Sequence, residues 1–291
     1  MDFKNDIKEQ LCKILEYYEV EFDKNDDLLG ILISYLNFAN RLISINSRKV
    51  HISRQLESKC DNDNDLHEII EKFKKQFEDG DNMNGYLSRA IHHSNISTVE
   101  RIEYSKARDY LLDDWGIHHL HLSNTKANTK DEMKNNRSDK LLFLVIRDSD
   151  VYFIDVLNHN DKNIFQQKGL LEIIENNWSF IIDKYCLNGV KEIELKIEDP
   201  KMIAKLRKIG MNVAYEINGK VYTSIGGGLT TSGTNTMHTV NSQKLIKRID
   251  EIEDYYKSNN SNLNLRMSII ENNKLCVQDL VTGESFLHSI T

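Results

Sequence analysis

The sequence predicts an α+β protein, with an N-terminal helical bundle over residues 1–96 and an α+β domain with a mixed or antiparallel sheet over 97–291. Three observations support this class. Apolar residues recur at three- and four-residue spacing before residue 96, which is typical of amphipathic helices. Two apolar runs, 141–146 and 151–157, flank a short polar turn and predict a buried β-hairpin. Finally, Asn218-Gly219 between two short strand-like runs predicts a second hairpin.

The helices of the first region have recognisable ends. An apolar stripe runs from Phe3 to Tyr18, and Asp26-Asp27 provides caps for a second helix that is apolar nearly all round. A third helix is expected to open at Asp65 and to stop at Gly80, because glycine ends helices. These features predict three or four packed helices without a catalytic motif.

The second region contains both apolar stripes with helical spacing and short runs typical of strands. The predicted elements, in order, are a helix capped by Ser97, a strand at 118–123, the hairpin 141–157, a helix at 170–182, a strand at 192–197, a short helix opened by Asp199-Pro200, the Asn218-Gly219 hairpin, a helix at 245–259 and a terminal hairpin at 263–280. Helices interspersed with short, hairpin-connected strands indicate the α+β class.

Bulk composition limits the function classes. The net charge of −7 disfavours a generic nucleic-acid binder, although a local surplus of basic residues occurs between Asn124 and Arg147. No run approaches the roughly 18 apolar residues of a membrane span, and the N-terminus lacks a secretory h-region. The four cysteines form no Cys-x-x-Cys pair, so we expect reduced thiols in a cytoplasmic protein without a membrane partner.

Histidines concentrate at one place, in the segment Trp115-Gly-Ile-His-His-Leu-His-Leu-Ser123. Strand alternation places His119 and His121 on one face and His118 on the other, with the first two roughly 6–7 Å apart. His159 follows the predicted strand 151–157. Imidazoles exchange protons near neutral pH, so His119 or His121 is a candidate general base and His159 a candidate acid. The alternative is that these histidines are structural and satisfied by hydrogen bonds.

A divalent metal is the second possibility for the same residues. His119, His121, Asp155 and His159 would then be its ligands, since imidazole and carboxylate groups hold such ions. Asp155 lies late in an apolar strand, where a carboxylate needs a partner, although a strand-end residue already in water needs none. We expect no cofactor, or a divalent metal.

Two further segments predict anion binding. Arg137 and Lys140 directly precede a central strand and would neutralise phosphate charge, the alternative being salt bridges to the acidic helical domain. The backbone N–H groups of Gly226, Gly227 and Gly228 would bind a substrate anion. The alternative for the glycines is a close approach of two backbones. The segment matches neither of the common glycine-rich nucleotide motifs.

Several blocks resemble those of other proteins. The segments beginning at Trp115, Leu141, Phe153, Asn177 and Gly226 are similar to blocks shared by an uncharacterised group of bacterial proteins, over residues 100–240. The resemblance to that group implies no particular activity. The hairpin with its basic loop and His159 also resembles the compact ribonuclease toxins of the RelE kind, which are smaller and more basic.

Two functions are therefore expected. The first is a toxin-like or phage-defence nuclease that cleaves RNA through His119, His121 and His159, with Arg137 neutralising charge. The second is a non-catalytic sensor or assembly protein of a bacterial defence or regulatory complex. In either case the acidic helical domain would bind a protein partner or a second copy of the chain.

Overall fold

The computed structural model describes residues 1–92, 108–129, 132, 138–190, 193, 197–259, 264–270 and 274–290. Within them the chain is α+β, as predicted, with eight α-helices, nine strands and several 3-10 turns. The helices are α1 (Phe3–Tyr17), α2 (Leu28–Arg41), α3 (Arg54–Cys60), α4 (Asn64–Asp79), α5 (Tyr110–Trp115), α6 (Gly169–Trp178), α7 (Pro200–Lys208) and α8 (Thr236–Asn259). The strands are β1 (Lys49–Ile52), β2 (His118–His121), β3 (Lys140–Ile146), β4 (Asp150–Asn158), β5 (Tyr215–Ile217), β6 (Lys220–Tyr222), β7 (Leu265–Ile270), β8 (Lys274–Asp279) and β9 (Ser285–Ser289).

The chain divides into two compact units. The terminal unit contains Met1–Ala39, His92 and the described part of Thr236–Thr291, whereas the central unit contains Asn40–Ile91 and the described part of Arg108–Asn235. The predicted domain boundary after residue 96 falls in 93–107, outside the described residues. The units are interleaved along the chain, so helices α3 and α4 belong with the four-stranded sheet.

A mixed four-stranded sheet of order β1-β4-β3-β2 forms the middle of the central unit. β1 pairs with β4 in parallel, and the other neighbours are antiparallel. The β3–β4 hairpin is central, as its near-continuous apolar run predicts. Its register shifts between Phe143 and Leu144, which marks a bulge or irregularity near Asp155.

Apolar side chains cover both faces of this sheet. On one face, α3 and α4 contribute Leu56, Ile70 and Phe73, which join Leu142 and Phe153 of the sheet in one buried cluster. On the other face, α5, α6 and α7 and the β5–β6 hairpin contribute a second cluster, which includes Trp115, Leu171, Ile174, Ile203, Tyr215, Phe143 and Ile154. The sheet is therefore a middle layer between two apolar clusters.

The terminal unit has its own core. α1 buries Phe3, Ile7, Leu11 and Leu15, and it contacts α8 and strand β7 of the three-stranded sheet β7-β8-β9. The outer edge of β7 is capped by α1 side chains. The Asp6 carboxylate accepts from the Met267 N–H at 3.0 Å, and Gln10 accepts from the Ile269 N–H at 2.8 Å. These bonds satisfy backbone groups that an open edge would expose.

Local signals account for most helix ends. Asp63 caps α4 through the Leu66 N–H, and Gly80 ends it with a φ of 77°. Asn218 and Gly219 adopt φ values of 50° and 76°, as the turn of a tight hairpin requires. Most of the helix predicted from Ser97 and of the strand predicted at 192–197 lies outside the described residues. Over the described part of the chain, no helix is both long and apolar enough to cross a membrane.

Candidate functional site

Strand β2 lies at one edge of the four-stranded sheet and carries three histidines. It pairs with β3 so that His119 lies opposite Phe143 and His121 opposite Leu141. Leu120 points into the cluster shared with α4, so the neighbouring positions His119 and His121 share the other face. The ring of His119 contacts the rings of Phe143 and Phe165, which belong to that second face.

His121 on β2 and His159, just beyond the end of β4, come together. Their ring centroids are 5.7 Å apart and the ring planes differ by 23°. His121 is buried on β2, whereas His159 is exposed just beyond the end of β4. The backbone N–H of His159 donates to the Asp139 carbonyl at 2.6 Å, which fixes the start of this turn against the chain that enters β3. One imidazole is thus held in the fold and the other is open to solvent.

His119 lies beside a carboxylate. Its Nδ1 atom is 3.6 Å from Oδ2 of Asp109, and the two side chains are 16% and 23% exposed. Asp109 is also the N-cap of α5, because its other oxygen accepts from the Leu112 N–H at 3.1 Å. The cap holds the carboxylate in place beside the imidazole.

His118 differs from the other two. Its Nε2 atom lies 3.2 Å from the backbone carbonyl oxygen of Asn40, and burial lowers its pKa to about 4. The imidazole is therefore neutral at neutral pH and donates to that carbonyl. This is the structural role that the alternative interpretation assigned to His118.

The predicted cationic residues are only partly described. Arg137 lies outside the described residues. The Nζ atom of Lys140 is 3.0 Å from Oδ2 of Asp63, the N-cap of α4, and both side chains are 41% exposed. Lys140 therefore makes the salt bridge to a helix that the alternative interpretation anticipated. An exposed pair of this kind contributes little stability, so Lys140 remains able to exchange Asp63 for another anion.

Two cavities of about 420 Å³ each border Lys140 and Leu66. The first is lined also by Leu122, which follows His121, and the second by Asn158, which precedes His159. Leu66 and Leu122 belong to the buried cluster that contains Leu120, so the first cavity lies on the face of the sheet opposite to His119 and His121. Their charged lining residues carry both signs, with Lys72 and Asp65 in the first and Lys59 and Asp63 in the second.

The predicted metal ligands are not assembled into a metal site. Asp155 forms an ion pair with Lys59 at 2.7 Å and accepts from the Val156 N–H. Over the residues that the structure describes, no group of three or more histidine, cysteine, aspartate or glutamate side chains is placed to hold a metal ion. The carboxylate predicted to orient a histidine or bind a cation thus neutralises an ammonium group of α3.

The glycine segment packs against α5, which corrects its assignment as an anion loop. The N–H groups of Gly226 and Gly228 donate to the carbonyls of Asp114 and Asp113, at 2.9 and 3.0 Å. A Cβ atom at Gly226 would lie 2.1 Å from the Leu112 carbonyl oxygen. Gly226 is required because two backbones approach closely, which is the alternative stated for the segment, whereas Gly227 and Gly228 have φ values of 104° and 78°. Two of the three predicted donors are already used.

A buried polar centre on α5 is the main feature that the sequence patterns did not indicate. The Asp114 carboxylate accepts from Arg207 Nε at 2.8 Å, Tyr215 Oη at 2.7 Å and Ser224 Oγ at 2.8 Å. The guanidinium of Arg207 lies 4.2 Å from the centroid of the Trp115 ring. These contacts hold together a charge pair that is almost fully buried, and they join α5, α7 and the β5–β6 hairpin.

The neighbouring carboxyl group of Asp113 has unusual acidity. Burial raises its pKa to about 6, although a hydrogen bond from Asn235 and the charge of Arg41 act in the opposite direction. Asn235 Nδ2 donates to Asp113 Oδ1 at 2.9 Å and also to the Gly226 carbonyl at 3.1 Å. An Asp-Asp pair before a tryptophan in an apolar helix was the available signal for this centre.

Comparison of the chain with protein-family models, curated proteins and solved structures finds no match. The site must therefore be interpreted from its own geometry.

Proposed function

We propose that the protein is a ribonuclease, toxin-like or acting in phage defence, that cleaves RNA by histidine acid–base chemistry. The observation that carries this proposal is the contact between the His121 and His159 rings, whose centroids are 5.7 Å apart. His159 is exposed and its ring lies against that of His121, which is 5% exposed, and we propose that both imidazoles act on one phosphate group. Near neutral pH, one can accept a proton while the other donates one.

The chemistry follows from the two different environments. His159 is exposed and acts as the acid that protonates the departing 5′-oxygen. His121, or His119 on the same strand face, acts as the base that removes the proton of the 2′-hydroxyl. The 2′-oxygen attacks phosphorus as the bond to the 5′-oxygen breaks. The products are a 2′,3′-cyclic phosphate and a 5′-hydroxyl end.

Substrate binding involves Lys140. Its exposed salt bridge to Asp63 opens at low cost, which frees the ammonium group for a phosphate. Arg137, three residues earlier in the sequence, is proposed to add a second cation. Because the whole chain has a net charge of −7, binding depends on these local cations.

We propose that the reaction requires no metal. General acid–base catalysis by two histidines accounts for the bond changes without one, and Asp155 is engaged with Lys59. Cleavage should therefore persist in the presence of EDTA.

Purified protein should cleave a fluorescently labelled RNA, whereas an oligonucleotide with 2′-deoxyribose throughout should stay intact because it lacks the nucleophile. His159→Asn and His121→Ala should each lower kcat by about 10²-fold or more. The matched control is His67→Ala, since His67 is an exposed histidine on α4, and it should retain the activity of the parent protein.

Expression of the parent protein should also arrest bacterial growth, and His159→Asn should abolish this effect. If the pure protein leaves RNA intact and the histidine variants change only complex formation, the ribonuclease proposal fails. The non-catalytic sensor or assembly role then replaces it.

A further inference from the structure

The three-stranded sheet of the terminal unit has two different edges. At the β7 edge, Asp6 and Gln10 of α1 accept from backbone N–H groups of the strand. Among the described strands, β9 at the other edge is paired only with β8. Its residues, Ser285-Phe-Leu-His-Ser289, include no lysine, arginine, acidic residue or proline, which are the residues that commonly prevent edge strands from pairing. β9 is therefore an edge that favours the addition of another strand.

The register of β8 and β9 determines which backbone groups face this edge. The Asp279 N–H donates to the Glu284 carbonyl at 2.9 Å. Hydrogen-bonded positions recur at every second residue of an antiparallel pair. The backbone groups of Phe286 and His288 are therefore directed at β8, and those of Leu287 are directed outward. The Leu287 side chain is 58% exposed and that of Phe286 is 41% exposed.

Helix α8 holds β9 in place. The Tyr256 ring contacts the rings of Phe286 and His288, at centroid distances of 6.2 and 5.8 Å, and its hydroxyl lies 3.2 Å from Nε2 of His288. At the end of the strand, Nε of Arg248 donates to the Ser289 carbonyl at 3.1 Å. A carbonyl oxygen accepts two hydrogen bonds, so this contact is compatible with a further donor. Because β9 is already held in its extended form, pairing requires little further ordering.

The sequence of β9 is complementary to itself. In an antiparallel pair of two β9 strands with Leu287 opposite Leu287, all five residues are used. Phe286 then lies opposite His288, and Ser285 lies opposite Ser289. Aromatic pairs directly opposite one another stabilise a sheet. Burial and a nearby arginine lower the pKa of His288, so its ring is neutral at neutral pH and no like charges meet in the five pairs.

We propose that β9 pairs with β9 of a second copy of this chain, antiparallel and with Leu287 on the two-fold axis. The outward N–H and carbonyl groups of Leu287 bond reciprocally to those of the other copy, and two three-stranded sheets become one sheet of six strands. The interface is isologous, since each copy contributes the same strand. One pair of five-residue strands is a small interface, so we expect a Kd on the order of 10 µM. The pairing is independent of the proposed ribonuclease activity.

Sedimentation velocity of the full chain, from about 1 to about 200 µM, tests the pairing. The parent protein should change from monomer to dimer over this range. Leu287→Lys should weaken the dimer by at least about 10-fold, because the Leu–Leu contact is lost and two like charges face each other on the axis. The matched control is Val281→Lys, which adds the same charge to a residue that is 79% exposed in the turn before β9, and it should dimerise like the parent. Equal thermal unfolding midpoints would show that both variants are folded.

Opposite charges at one position test the register. Leu287→Glu should also be monomeric by itself, whereas a mixture of Leu287→Glu and Leu287→Lys should form a heterodimer with a Kd within about 3-fold of the parent value, since an ammonium group then faces a carboxylate. In the parent protein, which requires no variant to fold, the peptide that contains Leu287 should exchange its amide hydrogens more slowly at the higher protein concentration.

A parent protein that stays monomeric at the highest concentration would overturn the self-pairing and leave β9 to a strand of a different protein. Dimerisation of Leu287→Lys with the Kd of the parent would show that a different surface forms the dimer, which also contradicts the proposal. A mixture of folded Leu287→Glu and Leu287→Lys that forms no heterodimer would contradict the register with Leu287 on the axis.

Discussion

Asp113→Asn should make the free energy of unfolding respond differently to pH. The substitution removes the buried ionisable group on α5 and preserves its shape. The remaining Oδ1 atom still accepts from Asn235, which donates to Asp113 at 2.9 Å. The change in stability therefore reports mainly on the buried charge.

The magnitude follows from the acidity of the group. Burial raises the pKa of Asp113 from 3.8 to about 6 in the folded chain. Because the folded-state pKa lies above the unfolded-state value, the folded chain binds more protons between these pH values. The stability of the parent protein therefore falls as pH rises from about 4 to about 6. Each unit of difference between the two pKa values corresponds to about 1.36 kcal/mol, so the full effect is about 3 kcal/mol.

Urea unfolding, followed by tryptophan fluorescence at several pH values, measures this effect. Both tryptophans, Trp115 and Trp178, belong to the central unit and report on its unfolding. As the pH rises from 4 to 8, the free energy of unfolding of Asp113→Asn should increase by about 3 kcal/mol relative to that of the parent. The exposed Asp161→Asn should keep a constant difference over that range, within about 0.5 kcal/mol. Parallel stability curves for Asp113→Asn and the parent would refute the assignment of a buried, proton-binding carboxyl group.

Two further substitutions test the packing around α5. Gly226→Ala places a Cβ 2.1 Å from the Leu112 carbonyl oxygen, so in thermal unfolding it should destabilise the central unit by about 3 kcal/mol or more. The control is Gly169→Ala, which has open space around its Cβ position and should change the stability by less than about 1 kcal/mol. Arg207→Met leaves the charge of Asp114 buried without its counter-ion and should cost about 3–5 kcal/mol in urea unfolding. A loss below about 1 kcal/mol for Gly226→Ala or Arg207→Met would contradict the corresponding contact.

The elements set by local signals were predictable from the sequence. The near-continuous apolar runs of β3 and β4, the stripe of α1, and the Asn218-Gly219 turn all lie within short windows, and the structure has each of them. Strand β1 was missed because four residues within an otherwise helical pattern give no strand signal. It forms by pairing with β4, roughly 100 residues further along the chain. Nonlocal pairing of that kind leaves no trace in local periodicity.

The candidate site was predictable in its histidines but not in their partners. Strand alternation placed His119 and His121 on one face, and the structure also brings His159 to His121. Asp109 looks like an ordinary helix cap in the sequence, because capping and orienting an imidazole use the same residue type. In the structure its second carboxylate oxygen also lies 3.6 Å from Nδ1 of His119.

The glycine segment shows why composition alone was insufficient there. Consecutive glycines suit both an anion loop and a close approach of two backbones. The choice depends on what lies opposite, and the carbonyls of Leu112 and Asp113 occupy that position. The sequence places those residues more than 100 positions earlier.

The direct test of the central claim is the response of His159→Asn to the leaving group of the substrate. With a dinucleotide, whose 5′-oxygen must be protonated as it departs, the variant should be slower than the parent by about 10²-fold or more. With a uridine 3′-(4-nitrophenyl) phosphate, whose leaving group departs without protonation, the two proteins should cleave at nearly equal rates. His121→Ala should be slow on both substrates, because the attack of the 2′-hydroxyl requires the base with either leaving group. An equal loss of rate for His159→Asn on both substrates would contradict the assignment of His159 as the acid that acts on the phosphate.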